Sequence, residues 1–458
     1  MRVASLTRDL AAIVGEHNVL DGDTAPYGQD ATHDILGLRG VADAIVRPGD
    51  AEEVRRVLAF CYEHDLPIVP RGGGTGYAGG AVPVEGGVVV ALERLTRVRS
   101  LSAQWWRAEV EAGLTTANVS RLARESGLLF APNPGAAEQS QIGGNVATNA
   151  GGPRAFKYGV TGRWVTGLEA AVAPGELIRV GGAARKDVAG YDLRGLLVGS
   201  EGTLGIITAV WLRFVPAPES SRSVAAFYAD AASGCAAIGQ VVGTGLEPAA
   251  LEYADEGVLD ASRGGFPSSL PPGARFLVLL EVDGSEAEAS RARSEALELL
   301  ADDAVHVFCP EDSRGERDLW RWRGAMGPAV TAVTGGRVSE DVAVPPDHLG
   351  DIVAGVASIG ARHGLPACSL GHAGDGNVHG CFLLVPGDAE QLERAHRCAD
   401  ELCELALALG GTGSGEHGIG WLKRGRLERQ LGPTAARMHA AVKAALDPKD
   451  LLNPGKKT

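Results

Sequence analysis

The pattern of apolar and polar residues differs between the two halves of this chain. In the first half, residues 50–64 predict a helix, because Asp50 can cap it and apolar residues then recur on one face. Apolar runs bounded by turn residues predict strands. Pro216 and Pro218 mark an expected domain boundary. The expected strands lie at residues 66–69, 88–92, 108–112 and 204–215, with a second helix at 115–126.

The second half alternates strands and helices. Strand–helix–strand units are expected at residues 224–253 and 276–308, and this order predicts a ferredoxin-like α+β domain. The rest is expected to be helical, apart from strands at 366–370 and 381–385. These two strands flank a loop rich in glycine and histidine.

Composition and charge argue against several classes of protein. The chain has 458 residues, which suggests two or three domains. Its net charge is −14 and it has no basic stripe, so nucleic acid is not expected as a partner. Arg8, Asp9 and Glu16 interrupt the N-terminal apolar stretch, so we expect a surface helix, no secretory signal and a cytoplasmic protein. The seven cysteines include no Cys-x-x-Cys, which argues against a disulfide framework or an iron–sulfur cluster.

The first glycine-rich loop, residues 71–80, contains a match to the dinucleotide-binding pattern G-x-G-x-x-G. In a Rossmann fold, a helix must open at these glycines. Here Pro83 and further glycines follow and argue strongly against a helix, so the Rossmann interpretation fails. The loop can instead bind a phosphate through converging main-chain N–H groups, with Thr75 adding a hydroxyl, or it is a plain tight turn.

Two more glycine-rich segments follow the first one. They lie at residues 133–152 and 198–208, and all three segments contain few bulky side chains. A single phosphate would not require three separate segments. Together they indicate a long cofactor that lies against the main chain.

Three runs in these segments carry a resemblance to a known family. They are Arg71-Gly-Gly-Gly-Thr-Gly, Ile142-Gly-Gly-Asn-Val-Ala-Thr-Asn-Ala-Gly-Gly and Gly199-Ser-Glu-Gly-Thr-Leu-Gly-Ile-Ile-Thr. They resemble the PCMH-type FAD domain of the vanillyl-alcohol-oxidase superfamily, in the branch of the glycolate oxidase D subunit, D-lactate dehydrogenases and D-2-hydroxyglutarate dehydrogenase. The resemblance implies an α+β fold. Its expected parts are an FAD-binding domain at residues 1–217, a ferredoxin-like substrate or cap domain with a metal site at 218–420, and a C-terminal segment at 421–458 that packs on the FAD domain.

The resemblance also implies which residues bind FAD. Some members attach the flavin covalently near the first loop, but residues 71–83 contain no His or Cys, so we expect non-covalent FAD. Asn453 is expected to approach the flavin ring, with a helix-stop turn as the alternative. The expected FAD-binding residues are Arg71, Gly72, Gly73, Gly74, Thr75, Gly76, Tyr77, Pro134, Gly135, Ile142, Gly143, Gly144, Asn145, Thr148, Glu201, Gly202, Ile206 and Asn453.

Two glycine-rich loops also contain histidines. His372 and His379 stand seven residues apart, and a Glu416-His417 pair follows later. From the residues alone, metal binding and a solvated loop remain equally open. The runs His-x-Gly-Asp-Gly-Asn-x-His and Ser-Gly-Glu-His-Gly resemble the family's metal and active-site motifs. The resemblance implies His372, His379 and Glu416 as ligands of a divalent metal, zinc or manganese. It implies His417 as the general base. Asp375 is expected to cap the turn, with the orientation of a metal ligand as the alternative.

The implied reaction is the oxidation of a D-2-hydroxy acid. The metal would bind the substrate, His417 would take the hydroxyl proton, and a hydride would pass to flavin N5. Arg323 lies where the family has a carboxylate-binding arginine, with a surface arginine stacked on tryptophan as the alternative. Arg337 is a weaker candidate. Cys381 and Ser339 depart from the relatives' pattern, so we expect a small substrate such as D-lactate or glycolate, with D-2-hydroxyglutarate as the alternative.

Two other functions stay open at this point. If no flavin binds, the histidines and Glu416 suit a metal-dependent hydrolase with structural glycine loops. A non-catalytic FAD subunit of an oxidase complex is the other alternative, although such subunits tend to lack the histidine motifs. No NAD fingerprint is present, so electrons are expected to leave to a quinone, an electron-transfer flavoprotein, a partner subunit or oxygen. A homodimer stays open as the quaternary state.

Overall fold

The computed structural model describes residues 3–457, without the side chains of residues 3, 4, 34 and 35. The chain forms two compact units. Unit 1 comprises Met1–Gly152, Gly159–Ala217 and Glu416–Thr458, and unit 2 comprises Pro153–Tyr158 and Pro218–Gly415. Between residues 3 and 457, no helix is both long and apolar enough to cross a membrane. The three-part domain organisation expected from the sequence stays a prediction.

The helices and strands are numbered in chain order. The helices are α1 (Val3–Val14), α2 (Thr32–Leu36), α3 (Ala51–Glu63), α4 (Thr116–Glu125), α5 (Ile142–Thr148), α6 (Ala155–Tyr158), α7 (Leu193–Leu197), α8 (Ala231–Gly243), α9 (Glu256–Ser262), α10 (Glu286–Ala301), α11 (Ser313–Thr334), α12 (Leu349–His363), α13 (Ala389–Ala408) and α14 (Arg426–Leu446). The strands are β1 (Val19–Leu20), β2 (Ala44–Val46), β3 (Ile68–Arg71), β4 (Val88–Ala91), β5 (Val98–Ser102), β6 (Arg107–Glu111), β7 (Leu128–Leu129), β8 (Val165–Val172), β9 (Glu176–Gly181), β10 (Ile206–Arg213), β11 (Val215–Pro216), β12 (Ser220–Tyr228), β13 (Ala250–Asp255), β14 (Phe276–Gly284), β15 (His306–Phe308), β16 (Gly336–Ala343), β17 (Ala367–His372) and β18 (Asn377–Leu384).

Unit 1 is built on two larger sheets and a short β7–β11 pair. In the four-stranded sheet, of order β1-β2-β4-β3, strand β4 pairs in parallel with β2 and β3. All four residues of β4 are buried, as expected for a parallel strand with both faces covered. The five-stranded sheet is antiparallel, in the order β5-β6-β10-β8-β9. The helix predicted at residues 50–64 is α3, and the Asp50 carboxylate accepts a hydrogen bond from the Glu53 N–H at 2.9 Å.

Unit 2 contains one seven-stranded antiparallel sheet of order β15-β12-β14-β13-β17-β18-β16. The first four strands and helices α8 and α10 have the chain order and strand order of a ferredoxin-like domain, so the predicted α+β class is confirmed. Strands β17, β18 and β16 extend this sheet. An apolar core that includes Phe227, Leu277 and Trp322 fills the space between the sheet and helices α9 and α11.

Strand β16 corrects the expectation that this part of the chain is helical. It pairs with β18 along its whole length, from Gly336 opposite Leu384 to Ala343 opposite Asn377. The strand pattern was hidden in the sequence because Glu340 and Asp341, two acidic residues, are buried there.

The glycine-rich segments also differ from one another. The second segment contains a helix, α5, although glycine disfavours helices. The helix forms because Gly143 lets it lie directly on β6 and the residue that follows, where a Cβ on Gly143 would come within 2.6 Å of the Ala112 Cβ. No helix follows the first segment between residues 72 and 87, which confirms that this loop is not a Rossmann unit.

Candidate functional site

The three glycine-rich segments line one cavity of about 260 Å³ in unit 1. The expected cofactor residues that line it are Arg71, Gly72, Gly73, Gly74, Thr75, Gly76, Tyr77, Pro134, Gly135, Gly143, Gly144, Asn145, Thr148, Glu201 and Gly202. Three other expected residues do not line it. Ile142 and Ile206 are buried, and the side-chain amide of Asn453 donates to the main-chain oxygens of Gly80 and Glu201 at 3.0 and 2.8 Å.

The walls of this cavity are mainly main chain, because the first and second segments approach too closely for side chains. A Cβ on Gly73 would lie 2.0 Å from the carbonyl oxygen of Gln139, and one on Gly72 would lie 3.4 Å from the Cα of Gly144. Gly74 adopts a φ of +67°, a conformation that side chains disfavour. Such a cradle exposes peptide groups to a ligand and fits the phosphates of a dinucleotide cofactor.

Arg71 anchors the first glycine-rich loop to the main chain of an earlier part of unit 1. Its guanidinium donates hydrogen bonds to the carbonyl oxygens of Gln29 at 2.6 Å and Pro26 at 3.1 Å. Burial lowers the pKa of Arg71, and the nearby Asp30 carboxylate partly counteracts this. A Cβ on Gly74 would collide with the guanidinium, so arginine and glycine fit together at this turn.

Glu416 and His417 line the same cavity in unit 1. The His417 ring lies 4.9 Å from the Tyr77 ring, measured between centroids. A Cβ on Gly151 would lie 2.7 Å from Oε2 of Glu416, so the second segment leaves room for this carboxylate. Unit 1 therefore brings the predicted base and one predicted metal ligand to the edge of the cofactor cavity.

The other two predicted ligands lie on a hairpin of unit 2. In the β17–β18 pair, His372 stands opposite Asn377 and Leu370 opposite His379, so the two histidines are diagonal neighbours on one face. Their ring centroids are 5.5 Å apart and the rings are perpendicular. Asp375 lies in the tight turn between the strands.

Glu252 on β13 joins His372 to Arg323. Its carboxylate contacts His372 Nδ1 at 2.6 Å and accepts hydrogen bonds from Arg323 Nε at 2.9 Å and Nη2 at 2.6 Å. Glu252 is fully buried, which by itself raises the pKa of its carboxyl group. The charges of His372 and Arg323 and their hydrogen bonds outweigh burial and lower this pKa below its usual value. Glu252 is therefore an anion in the interior of unit 2.

Asp341 on β16 is a second buried carboxylate beside the histidines. It accepts hydrogen bonds from Asn377 Nδ2 at 2.8 Å and from the Ser414 hydroxyl at 3.1 Å. Its Oδ1 lies 3.8 Å from Nδ1 of His379. Sequence reasoning missed both Glu252 and Asp341. The one available signal was that each is an acidic residue inside a segment of otherwise strand-like composition.

The remaining candidates lie on the same sheet. Arg337 donates from Nη1 to the carbonyl oxygen of Gly327 at 2.7 Å. Ser339 and Cys381 stand opposite each other on β16 and β18, with Oγ and Sγ 3.8 Å apart. The two positions expected to limit the size of the substrate are thus direct neighbours.

Comparisons with known proteins agree with this arrangement. A model described as FAD binding domain matches residues 42–181, and one described as FAD linked oxidases, C-terminal domain, matches residues 217–457. The glycolate oxidase subunit GlcD of Bacillus subtilis is 35% identical, and the match covers 100% of this chain and 97% of that protein. The D-lactate dehydrogenase of Anaerostipes hadrus is 33% identical, with 97% and 95% covered. A solved structure of p-cresol methylhydroxylase shares the fold at a TM-score of 0.81 and 17% identity, with 99% and 96% covered.

The two matching domain models, together with the main-chain cavity, define a flavin-dependent class of oxidoreductase. The chain belongs to the FAD-linked oxidase family, which confirms the resemblance drawn from its glycine and histidine motifs. It is an FAD-linked enzyme. The hydrolase alternative is therefore not retained.

The cradle geometry leads to a prediction for Gly73. Gly73→Ala should force the first two segments apart, because its Cβ would lie 2.0 Å from a carbonyl oxygen. Overpacking of this kind costs about 1–3 kcal/mol, so we expect the Kd for FAD to rise by about tenfold or more. Titration of the apoprotein with FAD, followed by flavin fluorescence, measures this.

Gly239→Ala is the matched control for that substitution. Gly239 lies on α8 in unit 2, and a Cβ there would have no atom within 4 Å. This variant should bind FAD like the wild type. Unchanged FAD binding by Gly73→Ala would contradict the cradle.

Proposed function

We propose that this enzyme oxidises a small D-2-hydroxy acid, such as D-lactate or glycolate, to the 2-oxo acid. The proposal adds a divalent metal, zinc or manganese, and non-covalently bound FAD. The observation that carries it is the buried contact of Glu252 with His372 and Arg323 on the sheet face that also holds His379. Curated relatives named as D-lactate dehydrogenase and as a glycolate oxidase subunit support the substrate class.

The donor set suits such a metal. A carboxylate that accepts from Nδ1 of a histidine fixes the ring, and a metal on Nε2 would take the place of the proton there. Glu252 does this for His372 at 2.6 Å. The other proposed ligands are His379 from the same hairpin and, from the family resemblance, Glu416. Two imidazoles and one carboxylate suit zinc or manganese and leave positions for a substrate.

Each remaining residue then has a defined task. When bound, FAD would supply the hydride acceptor and the metal would polarise the substrate hydroxyl. His417, beside Tyr77 at the cofactor cavity, takes the hydroxyl proton on its imidazole. Arg323 has five N–H donors, of which Glu252 accepts from the one on Nε and one on Nη2, so the guanidinium can also pair with the substrate carboxylate.

The proposal also includes the acceptor that takes electrons from the reduced flavin. Curated relatives in Bacillus subtilis and Escherichia coli are named as subunits of glycolate oxidase. We therefore propose that this chain passes electrons to a partner subunit, an electron-transfer flavoprotein or a quinone. The cytoplasmic location and the homodimer stay predictions.

Anaerobic reduction of the flavin tests the proposed reaction. Mixing the enzyme with D- and L-2-hydroxy acids under stopped flow should bleach the flavin with a small D-2-hydroxy acid. EDTA treatment should abolish bleaching, and zinc or manganese should restore it. His417→Ala should keep FAD but reduce it about 10²–10⁴-fold more slowly, because the proton has no acceptor. The exposed His439→Ala is the matched control and should react normally.

Three outcomes would contradict the proposal. The proposed substrate class is wrong if no 2-hydroxy acid bleaches the flavin. The proposed metal requirement is wrong if EDTA does not change the rate of flavin bleaching. The proposed role of His417 as the base is wrong if the flavin of His417→Ala is reduced at the wild-type rate.

The Glu252 contact leads to a prediction about metal affinity. Glu252→Gln should weaken metal binding by about 10–100-fold, because His372 loses the carboxylate that orients it. Metal content after dialysis against graded chelator measures the effect. Glu256→Gln, four residues along and exposed, is the control. The role fails if Glu252→Gln retains FAD and a wild-type circular dichroism spectrum and also binds metal as tightly as the wild type.

A further inference from the structure

We propose that Glu201 is a positioning residue that holds the loop carrying Glu416 and His417 at the flavin cavity. The consequence for turnover rests on the proposed function of His417. The side chain of Glu201 is 4% exposed. Its Oε1 accepts a hydrogen bond from the Ile419 N–H at 3.0 Å, and its Oε2 accepts one from the Gly420 N–H at 2.7 Å. All of these residues belong to unit 1.

The backbone of Glu201 indicates that its side chain is needed. Glu201 adopts a φ of +54°, in the left-handed region, between Gly199 and Gly202, which both have a φ of +74°. Glycine would adopt this conformation at less cost. A glutamate retained in such a conformation, within a glycine-rich run, is consistent with a task for its carboxylate.

The rest of Glu201 is anchored to the cofactor segments. Its N–H donates to the Ala147 carbonyl oxygen at 2.7 Å, near the end of helix α5 in the second glycine segment. Its carbonyl oxygen accepts from the Asn453 amide at 2.8 Å. Lys457 places its ammonium 3.1 Å from Oε1 and so balances the buried charge. The carboxylate is thus a fixed point on the wall of the cavity.

The loop that carries Glu416 and His417 packs closely against the Glu201 carboxylate. A Cβ on Gly418 would lie 2.9 Å from Oε1 of Glu201, and a Cβ on Gly420 would lie 2.2 Å from the Ala78 carbonyl oxygen. That carbonyl oxygen accepts from the N–H groups of Trp421 and Leu422 at 2.8 and 3.1 Å. The loop is therefore held on one side by the third glycine segment and on the other by the first. His417 lies two residues before the first held N–H.

Direct contact of the Glu201 carboxylate with FAD is the competing role. The carboxylate already accepts three hydrogen bonds from the loop and from Lys457. An anion is also poorly suited to face the phosphates of FAD. The side chain therefore acts on the loop, while the main chain of Glu201 lines the cavity.

Amide hydrogen exchange of the FAD-loaded enzyme tests the positioning role independently of turnover. In the wild type, the amides of Ile419 and Gly420 should be protected. Glu201→Ala should speed their exchange by about tenfold, the effect of losing one hydrogen bond. Glu201→Gln, which keeps one acceptor oxygen, should show a smaller effect, and it also serves if the alanine variant does not fold.

Flavin reduction provides the second readout. Glu201→Ala should keep its FAD occupancy but lower the limiting rate of flavin reduction by about 10–100-fold, as expected for a misplaced base. The substrate concentration for half-maximal rate should change little, and Glu201→Gln should recover part of the rate. Adding Glu201→Ala to His417→Ala should cause a smaller further loss than Glu201→Ala causes alone, because part of its effect acts through His417.

The outcomes separate this inference from the proposed function. Exchange at the wild-type rate in Glu201→Ala, or a rate loss that matches lost FAD, would overturn the positioning role. Normal flavin reduction by His417→Ala would overturn the proposed function instead. In that case, the exchange of Ile419 and Gly420 would still decide whether Glu201 holds the loop.

Discussion

The close approach of main chain to main chain in unit 1 is the constraint on which the rest of the site depends. Gly73 stands so near the Gln139 carbonyl that a single added carbon would collide with it. The third segment joins the second through hydrogen bonds from the N–H groups of Gly199 and Glu201 to Val146 and Ala147, at 2.9 and 2.7 Å. A wall made in this way offers peptide dipoles to a phosphate and excludes bulky side chains. The glycine content of these segments therefore follows from the shape of the cavity.

Unit 2 is organised in the opposite way, because its buried polar cluster consists of side chains held by other side chains. The register of the β17–β18 hairpin places His372 and His379 on one face. Glu252 and Asp341 lie buried beside them, although burial of a carboxylate is costly. The cost is offset because each carboxylate has several polar partners. Carboxylates held in this way can keep imidazole rings in a single orientation.

Local sequence rules predicted the elements whose signals agree with their surroundings. Helix α3 begins after the Asp50 cap, and α10 is the helix of the strand–helix–strand unit expected at residues 276–308. Strand β16 was missed because its buried acidic residues contradict the usual pattern of a strand. Helix α5 was missed because a tertiary contact at Gly143 overrides the low helix propensity of glycine.

In the candidate site, too, local signals were predictable from the sequence and long-range contacts were not. Motif spacing was enough to find the glycine segments and the histidines, because each group is close together in sequence. Glu252 lies 120 residues from His372, and only strand pairing brings the two together. A contact of that kind has no local signal, so the supporting carboxylates could not be assigned from the sequence.

We expect the main-chain cradle to hold one FAD without a covalent bond. Acid precipitation of the purified enzyme, followed by absorbance of the supernatant and the pellet, tests this directly. We expect a yellow protein that releases about one FAD per chain into the supernatant, since the cradle offers one continuous site. A colourless protein would contradict the cradle as an FAD site. Flavin retained in the pellet would contradict non-covalent binding.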